Sequence, residues 1–188
     1  SVLESSGTLF VYYKHDETDM LKGYAMIFGP QDSVYENGFY FFEFNFPTDY
    51  PYSPPKLKYC TNDGKTRFHP NLYKNGKVCL SILNTWRGPS WTSCQTISTI
   101  LLTILSILDN SPLLNEPGVT KDYKDVPIYN EIIKYKNIDF SILEMVKDNT
   151  AYRPKNFDVF LKVMKKHFEE HKERTKEIID EKRKLLLP

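Results

Sequence analysis

The 188-residue chain is poor in the residues that staple small folds or hold metals. It has three cysteines, Cys60, Cys79 and Cys94, and four histidines. An odd cysteine count with no CxxC spacing gives neither a disulfide framework nor a zinc site. Reduced thiols in the cytoplasm or nucleus are the simplest reading. His15, His69, His167 and His171 make no zinc set with them. His167 and His171 stand four apart on an expected helix face, a spacing a metal could use. With no third ligand nearby, the pair reads instead as a solvated stretch. No metal and no other cofactor is expected. Charge is nearly balanced: 25 basic residues against 24 acidic leave +1. That excludes a general electrostatic grip on nucleic acid or an anionic membrane. The longest apolar run, Ile100 to Leu105, is broken by Thr103 and is too short to span a bilayer. No signal-peptide pattern opens the chain, and it starts without Met, so its start reads as a cut.

What is present suits one domain with a helical extension: 40% hydrophobic residues, enough for a core without staples. The division expected is 1–147 as the core and 148–188 as a C-terminal helical extension, joined by a polar stretch containing Pro154. Short β-prone runs at Leu9 to Tyr13, Gly23 to Phe28, Phe39 to Phe46 and Leu57 to Cys60 predict an antiparallel meander of three or four strands. In the third run Tyr40, Phe42, Phe44 and Phe46 fall on one side, with Glu43 and Asn45 on the other. This period of two predicts one buried face and one partly exposed face. Thr92 and Gln95 form a candidate capping box for a central helix running to Leu108. Its stripe is Ile97, Ile100, Leu101, Ile104, Leu105 and Leu108. A further helix is expected from about Ile128 to Lys147, with Ile128, Ile132, Tyr135, Ile138, Ile142 and Met145 as its apolar face. A last helix, Phe157 to about Leu186, is expected to dock at its start and be solvated at its end. Glu170 with Arg174 and Asp180 with Lys184 are favourable pairs along it.

Between the third and fourth runs, Pro47, Pro51, Pro54 and Pro55 forbid helix and block strand pairing. This stiff loop, which also carries Tyr50 and Tyr52, is either a crossover or a partner-binding rim. The long aperiodic segment 61–94 is where a functional site belongs. It holds His69-Pro70-Asn71 and, in a polar glycine-containing loop, Cys79. A single cysteine is often only a small buried hydrophobe. Cys94, at the expected helix start, is a rival nucleophile because a helix N-terminus favours thiolate. His69 could be read as a base for Cys79, as in a cysteine protease, but no substrate cleft is advertised.

His69-Pro70-Asn71, followed eight residues later by Cys79, resembles the signature of the ubiquitin-conjugating enzymes. The proline-rich loop Phe46 to Pro55 resembles that family's loop almost letter for letter, and Gly29-Pro30, Tyr35 to Gly38 and Trp91 fall where the family has its turns and its tryptophan. The likeness is to the large Z-type members, through Asn75 to Leu83, Thr85-Trp86, Gly88-Pro89, Asn115 to Gly118 and Tyr129 to Glu131. It covers residues 8–147.

The resemblance implies an α+β ubiquitin-conjugating fold: a four-stranded antiparallel meander packed on a central helix, with further C-terminal helices. It implies that Cys79 carries the modifier as a thioester. Asn71 would donate to the tetrahedral oxyanion or brace the loop around it. Glu116, with Asn115, would orient the incoming lysine. His69 and Pro70 would fix the turn, and Ser81 stands where some relatives carry another active-site residue. Pro51, Tyr52, Thr92, Ser93 and Cys94 would meet a ligase. The implied partners are ubiquitin or a ubiquitin-like protein, an activating enzyme and a ligase. The chain departs from the pattern in the extra residues Trp86 to Pro89 after the cysteine, in Thr92-Ser93-Cys94, and in having only Ser1 to Gly7 ahead of the first strand, so the family's first helix is expected to be absent. Inactive relatives lack the cysteine; a non-catalytic binding or scaffold module is the alternative reading.

Overall fold

Alternating aromatic and β-branched residues drive the first half of the chain into strands. A computed structural model describes residues 2–5 and 8–186, with side chains from Phe10 to Glu181. Strands β1 (Val2–Ser5), β2 (Thr8–His15), β3 (Lys22–Phe28), β4 (Phe39–Asn45) and β5 (Lys56–Tyr59) pair antiparallel in sequence order. β2 to β5 are the expected meander; β1 adds a short edge strand, with Leu3 opposite Val11. Ser1, Ser6 and Gly7, which belong to the seven residues expected ahead of the first strand, lie outside the described residues.

Register sorts the side chains onto two faces. Tyr13, Ala25 and Phe42 are aligned across three strands and share one face with Phe44. Helix α1 (Ile97–Ile107) covers it, burying Ile100, Leu101 and Ile104. The opposite face is partly exposed at Glu43 and Asn45, as expected, but Phe28, Phe39 and Phe41 on it are buried. A 3₁₀ segment, Lys155–Phe160, and the start of helix α3 (Leu161–Leu186) lie over it. Phe157 packs on Phe41 at 4.8 Å between ring centroids, and His167 stacks on Phe28 at 4.1 Å. Phe157, Phe160 and Met164 therefore share one core with the sheet. The pattern within β4 alone could not reveal this, because the covering residues lie more than 110 positions away.

Three local expectations change. The capping box forms at Thr96 and Thr99, not at Thr92 and Gln95. Residues 92–95 have no apolar stripe to bury, so an added helical turn there gains nothing from packing. They close a turn instead, Gln95 N–H to Thr92 O at 3.0 Å. Cys94 is thus on an exposed turn, and the helix-terminus argument for its thiolate lapses. Helix α2 (Asp125–Lys136) runs into a π-helical segment, Asn137–Glu144, which shifts the inward face. Asn137, Phe140, Ile142 and Met145 are buried, whereas Ile128, Ile132 and Tyr135 face outward. Buried Asn137 accounts for the shift: its Oδ1 accepts from Tyr40 Oη at 2.6 Å and its Nδ2 donates to Glu36 O at 2.8 Å.

His167 and His171 are half-buried against the fold rather than a solvated stretch. Their rings stack at 4.1 Å, and His167 Nε2 lies 3.0 Å from Asn37 Oδ1. Burial, then the neighbouring His171, pushes the His167 pKa down to about 4. α3 also stays docked beyond Phe168, through buried Thr175 and an Arg174–Glu36 ion pair at 3.5 Å. Arg174 faces Glu36 and Glu177 rather than Glu170, which pairs with Lys166. The side chain of Lys184 lies outside the described residues.

Candidate active site

After β5 the chain turns back along the sheet edge instead of adding a strand. Gly76 makes this possible: its φ is +87°, and an added Cβ would sit 3.1 Å from both Lys58 Cγ and Tyr59 O. Its carbonyl accepts from Tyr59 N–H at 2.8 Å. Isolated bridges Lys58 to Lys77 and Leu72 to Val78 continue the attachment. The segment carrying Cys79 is therefore pinned to a rigid edge without being a strand.

His69 is fully buried, and burial pushes its pKa down to about 3. Its Nδ1 accepts the Asn71 backbone N–H at 2.9 Å, so the neutral ring closes the turn through Pro70. With that nitrogen occupied, His69 offers no base to Cys79. Asn71 faces the cysteine in both directions. Its Nδ2 donates to Cys79 O at 2.7 Å, and the Cys79 N–H donates to Asn71 O at 2.9 Å. Asn71 Oδ1 is buried and has no hydrogen-bond partner among the described residues. Cys79 is 2% exposed.

Downstream, Leu80 leads into a 3₁₀ turn, Ser81–Leu83, which ends at Asn84 with a positive φ. Thr85 ties this turn to the cysteine segment: its hydroxyl accepts from Leu80 N–H at 2.9 Å and donates to Val78 O at 2.9 Å. Gly88, at φ +134°, lets the extra loop pass Ser81; a Cβ there would meet Ser81 Cβ at 2.9 Å. Asn84 Oδ1 then accepts from Trp91 N–H at 2.9 Å.

Asn115 ends a 3₁₀ turn, Pro112–Asn115, beyond α1, and Glu116 follows it. Asn115 Nδ2 donates to Pro112 O at 3.1 Å and lies 3.5 Å from His69 Nε2. Glu116 Oε2 lies 3.2 Å from Arg67 Nη2. The same guanidinium donates to Pro70 O and lies over the Tyr73 ring, 4.4 Å from its centroid. Tyr129, from α2, donates its hydroxyl to Arg67 O at 2.7 Å. His69, Pro70, Asn71, Cys79, Asn115 and Glu116 thus belong to one bonded network, with Ser81 one turn away.

The five ligase-contact candidates form a second cluster. Trp91 Nε1 donates to Pro51 O at 2.7 Å, which joins the proline-rich loop to the turn holding Thr92, Ser93 and Cys94. Tyr52 is 81% exposed, and Thr92, Ser93 and Cys94, which follow Trp91 in sequence, are exposed as well. Among the other thiols, burial pushes Cys60 up to about 12, which keeps it protonated. Among the described residues, no three His, Cys, Asp or Glu side chains gather as metal ligands. No helix among them is long and apolar enough to cross a membrane.

Arg67, Thr85 and Tyr129 are site residues that the sequence reading missed. Arg67 stands two positions before His69, where a basic residue beside a motif could have been questioned. Thr85 and Tyr129 entered the sequence reading only as part of the family likeness, with no role for their hydroxyls, which bond Leu80 and Val78 in one case and Arg67 in the other.

Residues 3–131 match the family model described as ubiquitin-conjugating enzyme. The chain is 42% identical over 159 residues to "Ubiquitin-conjugating enzyme E2 Z" of Xenopus tropicalis, covering 83% of this chain and 50% of that protein. It is 45% identical over 135 residues to the protein of the same name from Homo sapiens, covering 70% of this chain and 38% of that one. The chain thus spans half or less of the length of these relatives. Its fold is similar to the E2 domain of a Toxoplasma gondii ubiquitin conjugating enzyme, with a TM-score of 0.56 and 29% identity over 70% of this chain and 88% of that one.

Proposed function

The chain belongs to the ubiquitin-conjugating enzyme family, and on that premise we propose that it carries ubiquitin or a ubiquitin-like modifier as a thioester on Cys79. The Cys79 thiolate attacks the thioester of an activating enzyme, whose cysteine leaves as thiolate. A substrate lysine amine then attacks the Cys79 thioester. The new C–N bond forms, the C–S bond breaks, Cys79 leaves as thiolate, and the amine proton passes to water. A ligase brings the substrate, docking on the rim of Pro51, Tyr52 and Thr92 to Cys94. The three free thiols suit a reducing compartment, cytoplasm or nucleus.

The observation that carries this reading is the two-way bond between Asn71 and Cys79 inside the family-matched segment. A thioester needs its carbonyl held still, and it needs a donor where the oxyanion develops. Asn71 Nδ2 has two hydrogens; the Cys79 carbonyl takes one, which leaves the second for the oxyanion. Glu116 and Asn115 orient the incoming lysine, and the buried His69 ring keeps the turn.

One observation favours the alternative of a non-catalytic binding module: Cys79 is 2% exposed. A charged form requires the neighbouring loops to part. Incubation with activating enzyme, ATP and a panel of modifiers, read by intact-protein mass spectrometry, decides the matter. The expected result is a one-modifier mass increase that a reducing agent removes. No adduct with any modifier, while a control conjugating enzyme charges fully, would establish the binding-module reading.

A further inference from the structure

Arg67 stands between two parts of the site that are otherwise linked by the 3.5 Å contact of Asn115 Nδ2 with His69 Nε2. Its guanidinium touches Glu116 at 3.2 Å and the Pro70 carbonyl, and lies over Tyr73. Tyr129 holds its backbone carbonyl at 2.7 Å. Arg67 Nε is buried and has no hydrogen-bond partner among the described residues, so the guanidinium is held through Nη2 and its contact with the Tyr73 ring. The Glu116 and Arg67 side chains are each about one third exposed, open enough for an acceptor lysine to reach the carboxylate.

A carboxylate alone is an ambiguous device for that lysine. It attracts the side chain, but it also stabilises the ammonium form, which cannot attack a carbonyl. A guanidinium beside the carboxylate cancels that field and leaves its hydrogen-bond acceptors in place. We propose that Arg67 is a positioning residue that, paired with Glu116, lets the site hold an acceptor lysine without raising the pKa of its amine. This rests on the thioester reading given above. The other groups facing the pair add little charge. Burial keeps the Tyr129 hydroxyl protonated and the His69 ring neutral. Lys77 Nζ lies 5.9 Å from the centroid of the same Tyr73 ring that Arg67 covers.

The test uses pre-formed, purified wild-type or variant thioester chased with N-α-acetyl-lysine over a pH series. Rates extrapolated to saturating lysine report the bound amine, whereas kcat/KM reports the free one. Arg67→Gln is expected to move the kcat midpoint up by roughly half a unit to one unit, discounted for exposure. The kcat/KM midpoint should stay where it is. Glu116→Gln should move the kcat midpoint down, because the guanidinium then acts alone. The double variant should return close to wild type, and Arg67→Lys, which keeps the charge, should hold the wild-type midpoint. Midpoints do not depend on the fraction of active protein, so partial misfolding leaves the readout intact. Unmoved midpoints in both single variants, or shifts of the same sign, would overturn the role of Arg67 and leave the thioester reading standing. Failure of the wild-type protein to form any thioester would overturn both.

Discussion

Asn71 and Cys79 are bonded in both directions: side-chain Nδ2 to Cys79 O at 2.7 Å, and Cys79 N–H to Asn71 O at 2.9 Å. The assignment of the amide follows from the partner, since an oxygen placed 2.7 Å from a carbonyl oxygen would repel it. The asparagine is held in turn by His69, which accepts its backbone N–H. A buried neutral imidazole, an amide and a backbone carbonyl thus fix the cysteine.

Asn71→Ala removes the donor and leaves the Cys79 thiol. Discharge of a pre-formed thioester to lysine should fall on the order of 100-fold, the typical cost of losing one oxyanion donor. Charging should fall far less. Single-turnover rates for the two half-reactions check this, and an unchanged discharge rate would leave Asn71 as loop bracing alone.

His167 gives the fold a pH dependence with a definite sign. Its pKa is lowered to about 4 in the folded state, against about 6.5 in an unfolded chain. Between these values the unfolded state binds more protons, so stability falls as pH drops from 6.5 towards 4. Buried His69, lowered to about 3, adds to the same trend. His167→Phe preserves a ring against Phe28 and should flatten this decline. Melting temperatures from pH 7 to pH 4.5 read it; equal slopes for the two proteins would show that His167 does not titrate with unfolding.

Alkylation should follow exposure. Cys94 is exposed, Cys60 is half-buried with its thiol pushed up to about 12, and Cys79 is 2% exposed. Limiting iodoacetamide at neutral pH, followed by peptide mapping, should label Cys94 first. Cys79 labelled as fast as Cys94 would mean that its loops are already open in the free protein.

The parts of the fold legible in the sequence were those with short-range patterns. Alternation in Phe39 to Phe46 marked a strand, and the stripe from Ile97 to Leu108 marked the helix beneath it. What escaped was set by distant partners. Phe157 and His167 bury the sheet face that Phe41 and Phe28 present, and nothing near Phe41 announces it. The helix start moved from Thr92 to Thr96 because Thr92 with Gln95 matches the capping pattern, whereas the packed stripe begins only at Ile97. In the candidate site, His69, Asn71, Cys79 and Glu116 were singled out in the sequence because the family resemblance names them. Arg67, Thr85 and Tyr129 were not, because each acts through a contact that only the folded chain creates.

The most direct measurement is the chemistry of the adduct on Cys79→Ser. After incubation with activating enzyme, ATP and the modifier that charges the wild-type protein, the variant should form an adduct that resists reducing agent, because an oxyester has the poorer leaving group. Cys60→Ser and Cys94→Ser should form the reducible adduct of the wild type. A reducible adduct on Cys79→Ser would contradict the account and transfer the thioester to Cys60 or Cys94.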